Sequence, residues 1–444
     1  MAFQKTVCAA LLISVLLNAV ADDAAEFTRK AFPPNFLFGV ASSAYQYEGG
    51  YNQDGKGLSN WDVFSHTPGK IDDLKNGDMA TDEYHRYKED VEIMSEMGVE
   101  LYRFSIAWSR IFPQGSGEIN PDGVRYYNDL INELLSKGIQ PFVTLCHYDL
   151  PQALEEQYGS WLNPRIADDF EQYAAACFRL FGDRVKYWTT FNEPNVFISM
   201  GYETGYYPPN RCSPTIGNCS AGNSSTEPYI AGHNLLRAHA YAVDLYRRQY
   251  QDDQGGFIGI VISAIWYEPL RNVPEDLEAA DRIHAFHNAW YLDPIVYGEY
   301  PAIMLKLVGK YLPTITEDLR HKLRGSFDFI GLNYYSSFYA TDVSYYLNPP
   351  TGYIRRDSLT TLTDEKNGVP IGPQMYPRSM TSVPSGIEKM VNYIKSQYSN
   401  PPLFISENGF GDQRNDSLPL TQMLNDTFRV NCIENALKFL AKAT

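Results

Sequence analysis

Seven short apolar or β-rich runs, Phe36–Ala41, Leu101–Ser105, Gln140–Leu145, Tyr187–Phe191, Phe257–Ile262, Phe329–Leu332 and Leu403–Ser406, are separated by stretches of helical periodicity. Strand and helix alternating in this way point to parallel strands joined by helical crossovers, because each crossover must pack back on the sheet it leaves. The helices are well punctuated. Asp82–Met97 and Pro121–Lys137 are predicted as helices, the second opening on proline and stopping at Gly138. With no repeat or low-complexity tract to divide it, the chain is read as one α/β barrel domain.

In such a barrel the loops that follow the C-terminal strand ends converge on one face. The polar residues at those ends are Gln46 after the first run, His147 after the third, Asn192 and Glu193 after the fourth, Asn333 and Tyr335 after the sixth, and Glu407 after the seventh. A single glutamate behind a strand is ordinarily a solvated loop charge. Two of them, in Thr190-Phe191-Asn192-Glu193-Pro194 and Ile405-Ser406-Glu407-Asn408-Gly409, form a pair suited to glycoside hydrolysis. That chemistry needs one carboxylic acid to protonate the leaving oxygen and one carboxylate to meet the developing oxocarbenium ion.

These two motifs resemble the acid/base and nucleophile motifs of glycoside hydrolase family 1, the plant β-glucosidase family, and the resemblance runs from about Phe32 to Thr444. It implies a retaining β-glucosidase acting on terminal β-D-glucosyl residues of glucosides or short oligosaccharides. Glu193 would be the general acid and later the base, and Glu407 the nucleophile, with the carboxyls about 5 Å apart. The charge of Glu407 would raise the pKa of Glu193, a perturbation that vanishes once Glu407 is glycosylated. Gln46, His147, Asn192 and Asn333 would contact the sugar, Tyr335 would orient Glu407, and Arg103 would keep Glu407 ionised. No cofactor or metal is expected.

The family pattern continues past the seventh strand through a helix, an eighth strand and a tryptophan-containing sugar-binding loop. Here a helix-like segment follows Phe428-Arg429-Val430-Asn431 and nothing after it reads as a strand. The expected fold is therefore a TIM (β/α)8-type barrel that is incomplete, the eighth strand/helix unit missing, with two bare strand edges and a weaker hold on the sugar. The family's tryptophan platform for the leaving group also lacks a counterpart near Ser379. A secreted, catalytically impaired glycan-binding or regulatory protein is the alternative this raises, and a transglucosidase using the same residues is another. A thioglucosidase is disfavoured because Glu193 is present where such relatives carry glutamine.

At the N-terminus, Lys5, the apolar run Val7–Val20 and Ala19-Val20-Ala21 read as a secretory signal over residues 1–21, leaving a catalytic domain at 22–444. The apolar run is too short for a membrane anchor. A net charge of −16 argues against nucleic acid and anionic membrane as partners and suits a neutral small molecule. Cys212 and Cys219 bracket a short loop and are expected to form a disulfide, whereas Cys146, Cys177 and Cys432 read as buried thiols. Nothing lies at zinc-ligand spacing. Acceptor triplets begin at Asn218, Asn223, Asn415 and Asn425. The apoplast or vacuole is the expected destination, since Lys442-Ala443-Thr444 is not a retrieval signal.

Overall fold

All seven apolar runs become strands of one parallel sheet, in chain order across it. The strands are β1 (Gly39–Ala41), β2 (Leu101–Ser105), β3 (Gln140–Cys146), β4 (Tyr187–Asn192), β5 (Phe257–Ser263), β6 (Phe329–Tyr334) and β7 (Leu403–Asn408). The computed structural model describes residues 27–344, 357–376, 380–413, 415 and 417–444. The secretory signal expected over residues 1–21, and the position near Ser379, lie outside them.

The sheet curls into a nearly closed barrel. Cα atoms of β1 and β7 come within 8 Å of each other, yet among the described residues no ladder joins them. Burial follows from that gap: β2 is buried throughout, while β1 and β7 are largely half-buried. The barrel floor is aromatic. Phe142 of β3 lies 5.1 Å from Phe404 of β7 and 5.6 Å from Phe329 of β6, contacts between non-adjacent strands that only inward-pointing rings can make.

The outer helices take their ends from the residues the sequence offers. Helix α1 (Glu83–Glu96) lies within the predicted Asp82–Met97, whose two end residues are its caps. Helix α2 (Pro121–Ser136) begins at Pro121, is capped by Asn120 accepting from the Asp122 amide, and is followed by Gly138 at φ +76°. Helices α3 (Ile166–Phe181), α4 (Glu227–Gln249), α5 (Ser385–Gln397) and α6 (Thr427–Ala443) continue the layer, and Lys395 of α5 donates to the Ala443 carbonyl of α6. No helix among the described residues is long and apolar enough to cross a membrane.

Cys212 and Cys219 are joined. Cys146 and Cys177 are free and buried, but Cys432 is only half-buried, because α6 packs through Ala436, Leu440 and Ala443 and leaves its other side outward. Asn218, Asn223, Asn415 and Asn425 are all exposed.

Candidate active site

Two breaks in strand register aim the carboxylates. On β4, Tyr187 and Thr189 face the barrel interior, so alternation would send Thr190 outward and Phe191 inward. Instead Thr190 Oγ1 bonds His239 of α4 and Phe191 stacks on Phe170 of α3, two consecutive side chains facing the outer helices. The pairing with β5 shifts between Thr189 and Asn192, and Asn192 turns inward. The Glu193 amide then makes a last bond to Val261 O at 2.8 Å. Its backbone turns left-handed at φ +42°, and Pro194 opens the short helix Pro194–Ile198. A second shift lies between Ile405 and Glu407 on β7. Ser406 and Glu407 consequently both reach interior partners.

One hydrogen-bonded chain of side chains joins the two glutamates. Arg103, rising from the middle of β2, donates from Nη1 to Glu407 Oε1 at 2.5 Å and from Nη2 to Asn192 Oδ1 at 2.6 Å. Asn333 Nδ2 donates to Asn192 Oδ1 at 3.0 Å and to Glu193 Oε1 at 2.9 Å. Tyr335 donates to Glu407 Oε2 at 2.9 Å. Since Asn192 Oδ1 already accepts twice, its nitrogen is the end that faces His147 Nε2 at 3.1 Å. The neutral imidazole therefore carries its proton on Nδ1, which has no partner among the described residues.

The two carboxyls ionise in opposite directions. Burial, then repulsion from Glu407, pushes Glu193 up to about 7, with hydrogen bonds from Tyr148 and Asn333 pulling back. Burial pushes Glu407 upward too, but the Arg103 guanidinium and its hydrogen bonds prevail and hold it below its ordinary value. Burial lowers His147 to about 4, so it is uncharged near neutrality. The sequence points to the charge of Glu407 as what raises Glu193; burial is the larger cause and that charge the second.

Arg103, His147, Asn192, Asn333, Tyr335 and both glutamates thus meet in one place. Gln46 does not join them through hydrogen bonds. It lies exposed on the helical turn after β1 and accepts from Ser43. Asn333, expected against the sugar, has both ends of its amide engaged by protein, Ser406 Oγ donating to its Oδ1 at 2.8 Å.

Two members escaped the sequence reading: Ser406, inside the quoted motif, and Tyr148, next to His147, whose phenol donates to Glu193 Oε2. Adjacency to a marked residue was the available signal for each. Among the described residues no cluster of three His, Cys, Asp or Glu side chains could hold a metal ion.

A barrel that gathers two carboxyls over its C-terminal strand ends, one shifted up by burial and the other held down by an arginine, has the layout of a glycoside hydrolase, and comparison with known proteins agrees. The chain belongs to glycosyl hydrolase family 1, whose family model matches residues 28–444. It is 52% identical to a coniferin β-glucosidase of Pinus contorta, over 94% of this chain and 82% of that protein. It is 50% identical to a rice (Oryza sativa) protein described as a probable inactive β-glucosidase 14, over 94% and 81%. A rice β-glucosidase mutant solved in a covalent complex with glucose superposes with a TM-score of 0.92 at 44% identity, covering 94% of this chain and 87% of that one.

Proposed function

We propose that this chain is a retaining β-glucosidase that removes terminal β-D-glucosyl residues from glucosides or short oligosaccharides, working as one catalytic domain over residues 22–444. The carrying observation is the opposed ionisation of Glu193 and Glu407 within a single buried network. Glu193 in its acid form protonates the glycosidic oxygen, which leaves with the bonding pair while a Glu407 oxygen bonds the anomeric carbon. Water then attacks that carbon, giving its proton to Glu193 as Glu407 departs. Once Glu407 loses its charge the repulsive part of the Glu193 shift disappears and Glu193 ionises more readily for the second step, although the part due to burial remains.

Arg103 holds Glu407 ionised, Tyr335 orients it, and Asn333 presents Glu193. His147, the remaining N–H of Asn192 and Gln46 face the sugar hydroxyls. The covalent glucose complex of the rice structure supports a glycosyl-enzyme here. The test is chromophore release from an aryl β-glucoside, which Glu407→Ala should abolish; turnover indifferent to that change would remove the nucleophile assignment. Sugar in place of water in the second step gives transglucosylation.

The exposed asparagines and the disulfide support a secreted, N-glycosylated protein of the apoplast or vacuole with its first 21 residues removed. N-terminal sequencing of protein recovered from the medium of expressing plant cells decides this, and an intact Met1 would exclude it.

A further inference from the structure

The sequence Cys146-His147-Tyr148-Asp149 closes β3, and Tyr148 there adopts φ +73°, a left-handed conformation uncommon for a bulky residue. The turn places its ring parallel to Phe197, with 5.9 Å between centroids and 14° between planes. Phe197 belongs to the helix Pro194–Ile198 that begins directly after Glu193, so Tyr148 is packed against the element that carries the carboxyl it bonds. Tyr207 flanks the same ring at 5.9 Å. Packing on two sides, and not chance rotation, therefore sets the direction of the phenol.

The two oxygens of Glu193 have unlike partners. Oε1 accepts from an Asn333 amide N–H, and that amide nitrogen can only donate, so a proton on Oε1 would face another hydrogen. Oε2 faces the Tyr148 hydroxyl, which can donate to a carboxylate and accept from a carboxylic acid. The acid proton is thus directed to Oε2. Burial, then the charge of Glu193, raises the Tyr148 hydroxyl well above its ordinary value, so it keeps its own proton throughout.

We propose that Tyr148 is a positioning residue for the reaction, fixing which oxygen of Glu193 carries the acid proton and stabilising the ionised form that must serve as base in the second step. This rests on the acid/base reading of Glu193. It acts through its hydrogen bond to Glu193, and among the described residues no hydrogen bond joins it to Glu407, whose oxygens are held by Arg103 and Tyr335.

The variant Tyr148→Phe keeps the ring stack and removes the hydroxyl. Losing a donor to the carboxylate raises the Glu193 pKa, so the alkaline limb of kcat/KM should move up by about one pH unit. The second step, which needs ionised Glu193, should slow relative to the first. With a good leaving group at pH below the limb, kcat and KM should fall together and a burst of released phenol should grow, as glycosyl-enzyme accumulates. A purely structural role predicts neither change.

Infrared titration of the carboxyl band that Glu193→Gln removes gives a readout independent of turnover. Its midpoint should rise in Tyr148→Phe by the same amount. An unchanged midpoint, or an unmoved pH limb, overturns the proposal. If Glu407→Ala leaves turnover intact the hydrolase reading fails by itself, and the infrared comparison still decides whether Tyr148 governs Glu193.

Discussion

Arg103 divides its guanidinium between Glu407 and Asn192, with 2.5 Å from Nη1 to Glu407 Oε1, and is itself almost wholly buried. Placing a cation beneath one carboxyl and not the other separates the two chemically similar glutamates. Arg103→Met should leave Glu407 buried without a counter-charge and shift its pKa upward. We expect kcat/KM to fall by at least about a hundredfold, the cost being several kcal/mol for an orphaned buried charge, with the acid limb of the profile moving to higher pH.

The wild-type profile of kcat/KM should be bell-shaped. Its acid limb requires ionised Glu407 and lies below the ordinary value of a glutamate, while its alkaline limb follows the loss of the Glu193 proton near pH 7. Stopped assays with an aryl glucoside from pH 3 to 9 check both limbs.

Glu193→Gln should affect substrates unequally. Loss of general acid catalysis costs about 10²–10⁴-fold for an alkyl aglycone that needs a proton to leave. A nitrophenol departs unaided and should show a much smaller loss in kcat/KM. Equal losses for the two would remove Glu193 from the acid role.

Gly331 lets the network close. A Cβ there would stand 2.7 Å from Val261 Cγ2 and 2.9 Å from Ser406 Oγ, the hydroxyl that holds Asn333. Gly331→Ala should destabilise by about 1–3 kcal/mol through overpacking and lower kcat by loosening Asn333. Thermal melts and kinetics on the same preparation measure the two effects.

Away from the site, Glu83 at the start of α1 is buried, accepts from Tyr102, and is pushed up to about 8 by burial and then, beyond the Tyr102 bond, by the charge of Glu48. Its folded pKa lies above its unfolded one, so its contribution is complete below about 4.3 and is lost as pH rises toward 8. Glu83→Gln should therefore gain Tm relative to wild type as pH climbs through that window. Parallel melts at pH 5 and pH 8 test the sign.

The strand sequence was readable because every barrel strand is a short apolar run between helical stretches, and the structure lengthens β3 to β7 by only one or two residues at their C-terminal ends. The register breaks were not. Thr190 and Phe191 face outward together because His239 and Phe170 await them on helices far along the chain, a tertiary fact absent from the local pattern. Arg103 and Tyr335 were legible through motif resemblance. Tyr148 was not, because a tyrosine beside a strand is usually packing and only its left-handed backbone turns it toward Glu193. Cys432 misled for the opposite reason: its apolar neighbours line a helix with one side open.

The two irregularities in β4 and β7 carry a lesson for transplantation. Grafting Thr-Phe-Asn-Glu-Pro and Ile-Ser-Glu-Asn-Gly onto a regularly paired barrel would reproduce the letters yet send each acid to the wrong side of its strand. A designer seeking this chemistry in a new scaffold should copy the slipped ladders first and choose the side chains afterwards.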